Sequence, residues 1–221
     1  WVLEACSVPV FRYALERWPA EQYEVVVFYP EPLHTGQRAL IEALQQTSTN
    51  ALANLSVELV NLAKPLAEPR RALWQSQIKA QPPWVVVQYP PSLRADLSVW
   101  AGPLEAAEVK TLVDSPARRE LARRLLAGYS AVWLLLECGD AARDQALAQM
   151  LADESRRLEK ILKLPEAAPD DPKLQADLQL KIAFSVVRVA RSNPLERMFV
   201  NLLQRLHPVL ATEREPMMFT V

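Results

Sequence analysis

Three stretches of the chain are apolar at almost every position: Tyr23–Tyr29 (YEVVVFY), 84–89 (WVVVQY) and Ala131–Glu137 (AVWLLLE). Short continuous runs of this kind, rich in β-branched and aromatic residues, suit strands buried on both faces. Weaker runs at 55–62, 97–100, 180–190 and 217–221 predict further strands. Between them the pattern changes to helical spacing. In 6–18, Phe11, Leu15 and Trp18 fall on one face, Pro9 suits the first turn, and Trp18-Pro19 ends the helix. Thr35 caps a helix that begins near Gln37, carries Leu40, Ile41 and Leu44, and ends in the polar stretch 45–50. A short helix is expected over 70–79. A long one covers 105–126, bent near Ser115-Pro116, with Arg118, Arg119, Arg123 and Arg124 on its solvent face and Gly128 as its stop. Asp140 caps a charged amphipathic helix over 141–162, an acidic proline-rich loop follows at 165–172, and Asn193-Pro194 opens a last helix over 195–206 that Pro208 helps to end.

The order of these elements repeats. From Tyr23 it reads strand, helix, strand, helix, proline, strand, strand, helix. From Ala131 it reads strand, helix, strand, helix, proline, strand. Helices between strands imply parallel crossovers, and the closing pair of the first half makes its sheet mixed. The predicted class is α/β, with mixed sheets flanked by helices in two units, 1–129 and 130–221.

This order resembles the thioredoxin fold. In that family a proline, usually cis, immediately precedes the third core strand, and Pro83 and Pro216 stand at those places. The resemblance covers about 23–128 well and 131–221 incompletely, because the second copy lacks its last strand and helix. An unpaired edge there would invite association. The opening segment CSVPVFRYALERW also resembles a stretch found just after the signal peptide in an uncharacterised group of exported bacterial proteins. That likeness, with Trp1 in place of an initiator methionine, implies a chain that begins near a processing site and works outside the cytoplasm, in the periplasm or beyond.

Composition narrows the chemistry. Of 221 residues only 4 are glycine, standing alone at Gly36, Gly102, Gly128 and Gly139, while 18 are proline. Neither a dinucleotide fingerprint nor a phosphate-binding loop can be built from isolated glycines. A net charge of −1 gives no basic face for nucleic acid. No apolar run reaches the length of a membrane span. His34 and His207 stand far from other metal ligands, so neither a metal nor a cofactor is expected.

The thioredoxin resemblance implies that chemistry, where present, comes from C-x-x-C at the start of the first core helix. There a helix N-terminus activates one thiol and the second resolves the mixed disulfide. The first copy has PEPLHTGQ at that place and no cysteine. The second has Cys138-Gly139-Asp140-Ala141, with Ala141 where the resolving cysteine would stand. Cys138 is flanked by Glu137 and Asp140, whose charge opposes a thiolate. It reads first as a small apolar residue at a strand end and second as a lone thiol. Cys6 has three readings: a free thiol, a disulfide with Cys138 in an oxidising compartment, or a lipid anchor, which Glu4 disfavours. The six tryptophans, Trp1, Trp18, Trp74, Trp84, Trp100 and Trp133, suit packing better than sugar stacking. Asp170-Asp171 suits a solvated loop. The sequence therefore predicts a non-catalytic exported protein that binds protein partners or serves as an accessory subunit. Association with a membrane complex is one form of that role, and a monothiol redox protein using Cys138 or Cys6 is the alternative.

Overall fold

The computed structural model describes residues 21–49, 53–94, 98–164 and 181–221. The 6–18 helix, Cys6, Trp1, Trp18 and Asp170-Asp171 lie outside the described residues. Two units divide the chain, Trp1–Leu104 and Glu105–Val221.

In the first unit, Val25, Val26, Val27 and Phe28 are all 0 % exposed, which only a central strand covered on both faces allows. This strand, β1 (Tyr23–Tyr29), runs parallel to β2 (Leu55–Asn61) and antiparallel to β3 (Trp84–Gln88). A fourth strand, β4 (Ser98–Pro103), pairs antiparallel with β3 across a bulge, giving the order β2-β1-β3-β4. Helix α1 (Thr35–Thr49) buries Ile41 and Leu44. At its start the His34 N–H donates to Gln37 Oε1 at 3.0 Å, the return bond of a capping box. The polar stretch after Leu44 stays helical to Thr49. The Thr47 and Thr49 hydroxyls donate back to the Ala43 and Gln45 carbonyls at 2.9 and 2.9 Å, which satisfies them within the helix.

Helix α2 (Arg70–Gln75) lies over the other face, where Trp74 and the Phe28 ring sit 5.0 Å apart. Its first residue ties it to the sheet. Arg70 bridges Glu24 of β1 and Glu58 of β2, its Nε donating to Glu58 Oε2 at 3.0 Å and its Nη1 to Glu24 Oε2 at 3.0 Å. Glu58 and then Glu24 hold the guanidinium more firmly protonated than usual. Arg70→Ala is expected to destabilise the first unit by about 1–2 kcal/mol in urea unfolding, since the group is partly solvated and two carboxylates lose their donor. Arg70→Lys should recover less than half of that, because an ammonium cannot fork to both. A short helix α3 (Pro91–Arg94), which periodicity does not predict, separates β3 from β4.

The second unit opens with α4 (Ala106–Val113) and α5 (Pro116–Leu126), the two halves of the bent region. Ser115 Oγ accepts from the Arg118 N–H at 3.3 Å, and Pro116 fills the first helical position. Strand β5 (Ala131–Glu137) comes next, then α6 (Ala141–Ile161), β6 (Phe184–Ala190), a single 3₁₀ turn at Pro194–Glu196, and α7 (Arg197–Arg205). Helix α8 (Pro208–Thr212) and β7 (Met217–Thr220) complete it. Pro208 starts a helix here as well as ending one. The sheet order is β6-β5-β7, with β6 parallel and β7 antiparallel to β5.

The expected division at 129/130 is corrected. Ala117 and Leu121 of α5 are buried in one cluster with Val132, Leu134 and Leu136 of β5 and Phe199, Val200 and Leu203 of α7. The buried carboxylate of Glu196 also accepts from the Ala117 N–H at 2.7 Å. Helix α5 therefore packs with the second sheet. This corrects the arginine expectation too. Arg118 turns inward, donating to the Thr111 and Leu112 carbonyls with its guanidinium 5.7 Å from the Phe199 ring centroid. Burial pulls its pKa below the usual arginine value. Arg124 donates to the Val186 carbonyl at 2.8 Å.

The two sheets share one register. Tyr23 pairs with Leu55 and Ala131 with Phe184, in each case the first residue of both strands. Phe28, the sixth residue of β1, faces Trp84; Leu136, the sixth of β5, faces Met217. Each facing residue directly follows a proline, so Pro83 and Pro216 occupy equivalent places. The fold is thus α/β with two mixed sheets flanked by helices, the second, among the described residues, one strand short of the first. The peptide bonds at Glu31-Pro32, Glu68-Pro69 and Pro82-Pro83 are cis. The bond before Pro216 is not among them, which corrects the expectation of a cis proline at both places. Among the described residues no helix is long and apolar enough to cross a membrane.

Candidate functional site

The thiol of Cys138 sits where β5 ends and α6 begins. Gly139 takes a φ of 94° there, a left-handed turn that a side chain would strain. The turn folds around one carboxylate. Asp144, in the first turn of α6 and only 3 % exposed, accepts from the Cys138 N–H at 2.8 Å through Oδ1 and from the Gly139 N–H at 3.0 Å through Oδ2. Burial opposes its charge. The Cys138 amide and thiol and the Gly139 amide together outweigh burial, and the Asp144 pKa lies below the usual aspartate value. Asp140 caps the helix, its Oδ1 accepting from the Ala142 and Arg143 N–H groups at 3.0 and 3.2 Å. The Asp140 N–H points at Cys138 Sγ, 3.4 Å away.

The amides that would stabilise a thiolate at this helix start are therefore largely committed to carboxylates. The charges expected to act on the thiol are themselves paired. Glu137 accepts from Arg188 Nε at 2.6 Å, and Asp140 Oδ2 lies 3.2 Å from Arg143 Nε. Ala141, in the place of a resolving cysteine, is an ordinary first-turn residue. Cys138 is half-buried and bonded to no other sulfur among the described residues; Cys6, and with it the expected alternative of a Cys6–Cys138 bond, lies outside them.

By register Pro216 comes next in line opposite Glu137, which puts it beside the Cys138 turn. The segment before it is tied down by two arginines: Arg191 donates to the Glu213 carbonyl at 2.7 Å and the Glu215 carbonyl at 2.5 Å, and Arg143 Nη1 meets Glu215 Oε1 at 2.5 Å. In the first unit the corresponding places are the exposed His34 at the start of α1 and Pro83 before β3. No thiol stands at either place. Asp144 is the residue that sequence reasoning missed. Its one signal was an acid near the start of a helix, which marks many solvated residues as well.

The chain matches no protein-family model. A comparison with curated proteins also finds no match. Among solved structures it is similar to the first two thioredoxin domains of Naumovozyma dairenensis Eps1p, at 12 % identity and a TM-score of 0.27, over 99 % of this chain and 87 % of that one.

A second feature lies on the α6 face of the same sheet. A groove of about 820 Å³ is lined by Trp133 of β5, Met150, Leu151 and Leu158 of α6, and Met218 of β7. Trp133 Nε1 donates to the buried Ser155 hydroxyl at 3.0 Å, which fixes the indole as its floor. Met150 and Met218 are 55 % and 45 % exposed. Gln149, Asp153, Glu154 and Arg157 complete the lining, so the mostly apolar concavity carries polar and charged groups as well.

Proposed function

We propose that this protein is a non-catalytic, thioredoxin-like binding module, exported from a bacterial cell and acting as an accessory subunit of a protein assembly. The observation that carries this is the Cys138 turn, where Asp144 and Asp140 take up the helix-start amides and Ala141 stands in place of a second thiol. A dithiol cycle has no resolving group at that position. Export rests on the N-terminal resemblance alone.

The chain is expected to show no disulfide reductase turnover with an insulin or small-disulfide substrate above a Cys138→Ser control. Turnover that this substitution abolishes would overturn the proposal. The monothiol reading draws on the Asp140 N–H directed at the sulfur. It is tested by measuring alkylation of Cys138 against pH in a Cys6→Ser background. We expect no acceleration over the urea-unfolded chain, and a rate faster by about tenfold would favour monothiol chemistry instead.

A further inference from the structure

We infer that the cleft between α5 and β6 binds a primary alkylammonium group through the buried carboxylate of Glu196. The cleft has a volume of about 440 Å³. That lies within the range of roughly 300–1,000 Å³ usual for small-molecule sites. Residues of α5 line one side, residues 186–190 line another, and Glu196 of the 3₁₀ turn contributes its side chain.

Glu196 is 2 % exposed. Its Oε1 accepts from the Ala117 N–H at 2.7 Å. Its Oε2 is buried as well and, among the described residues, has no hydrogen-bond partner. A carboxylate oxygen withdrawn from water without a donor is costly, so this one calls for a partner. Arg118 does not supply it. Its charge reaches Glu196 through space, while its donors go to Ser115, Thr111 and Leu112. The other charged side chains of the cleft are already paired. Arg124 donates to Glu120 at 2.7 Å and to the Val186 carbonyl at 2.8 Å. Arg123 takes the second oxygen of Glu120 at 2.7 Å. Arg188 donates to Glu137 at 2.6 Å and to Gln145 at 2.9 Å.

One oxygen left over beside an occupied one suits a point donor. A guanidinium forks to both oxygens of a carboxylate, and here the second holds the Ala117 amide. An ammonium meets a single oxygen with any of its three N–H groups. A charged donor is favoured over a neutral one because its hydrogen bond to a carboxylate is roughly twice as strong. An anion would meet the Glu196 carboxylate, which already occupies the start of α5. Pro116 and Ala117 add aliphatic surface for a short hydrocarbon body. A free amine and the lysine side chain of another protein share this chemistry.

The test is titration of the whole nitrogen-15-labelled chain with n-butylammonium chloride at constant ionic strength, followed by amide chemical shifts. We expect saturable shifts at Ala117 and at nearby amides of α5 and β6, with a Kd in the millimolar range. n-Butanol has the same body without the charge and should bind at least about tenfold more weakly. Glu196→Gln keeps an oxygen for the Ala117 N–H and replaces the free oxygen by an NH₂ group. It should weaken n-butylammonium binding by about tenfold or more. N-acetyl-lysine methylamide separates the two sources: binding as tight as n-butylammonium or tighter assigns the site to a lysine side chain, and weaker binding to a free amine. No saturable shift by about 100 mM n-butylammonium would leave Oε2 to water alone and overturn the inference. Equal affinity for n-butanol, or unchanged affinity in Glu196→Gln, would overturn it too. The comparison of the probes on wild type decides the matter even where the glutamine variant fails to fold. The binding-module proposal stands apart from this result, since it is judged by turnover and alkylation.

Discussion

Asp144→Ala is expected to lower the stability of the second unit by about 2–4 kcal/mol, read from its urea midpoint. The substitution deletes a buried carboxylate rather than apolar core atoms. It leaves the Cys138 and Gly139 amides without their acceptor in a half-buried turn, and also takes a partner from the Cys138 thiol. Asp144→Asn keeps the shape and one acceptor oxygen, but turns an NH₂ group toward an amide, so it should recover about half at best. The pH dependence has a definite sign. The Asp144 pKa is lower in the folded protein than in the unfolded chain, where it is about 3.9. Its contribution is therefore fully present above that unfolded value and lost as pH falls through the folded one. Wild type should lose stability on acidification below about pH 4 more steeply than the alanine variant does. Equal slopes would show that the carboxylate is not held as described.

The second large effect belongs to the first unit. Gly102 lies on β4 two residues from Trp100, and a Cβ there would sit 2.2 Å from the indole. Gly102→Ala must therefore displace the half-buried ring of Trp100 or shift the strand beneath it. A cost of about 2–3 kcal/mol is expected, as for other overpacked sites. Gly36→Ala is the natural control. A Cβ at Gly36 meets nothing within 4 Å, and the residue lies in α1, so alanine should be neutral or slightly stabilising. Thermal unfolding of the two variants measures the difference, and equal midpoints would contradict the close packing of Trp100.

The strands were legible because their apolar runs are short, continuous and fenced by proline. Pro30 closes β1, Pro83 opens β3 and Pro216 opens β7 at the places the pattern implies. The helix boundary at Ser115-Pro116 was legible for the same reason. The allegiance of α5 was not. Its amphipathic spacing shows that it buries Ala117 and Leu121, but spacing cannot show which sheet receives them. Glu196, far along the chain, decides that by capping Ala117. Arg118 and Arg124 misled for a related cause, since a charged helix face reads as solvated unless the carbonyls it reaches are known. Cys138 was visible as a lone thiol beside carboxylates, yet the wrong carboxylates drew notice. Glu137 is neutralised by Arg188 and Asp140 serves the helix, while Asp144 closes the turn. Register, which made Pro83 and Pro216 equivalent, comes from strand pairing and has no signature in composition.

The shared register also bears on the order in which the chain can assemble during synthesis. The first unit is complete once Leu104 has emerged, and β2, β3 and β4 each pair with a strand already made. The second follows the same course, β6 and then β7 each adding to β5. Its central strand β5 gains β6 only after α6 has formed, and the other side of β5 stays bare until Met217–Thr220 is available. A ribosome-bound chain would thus carry one finished module and one with an open seam beside β5, closed only when β7 arrives.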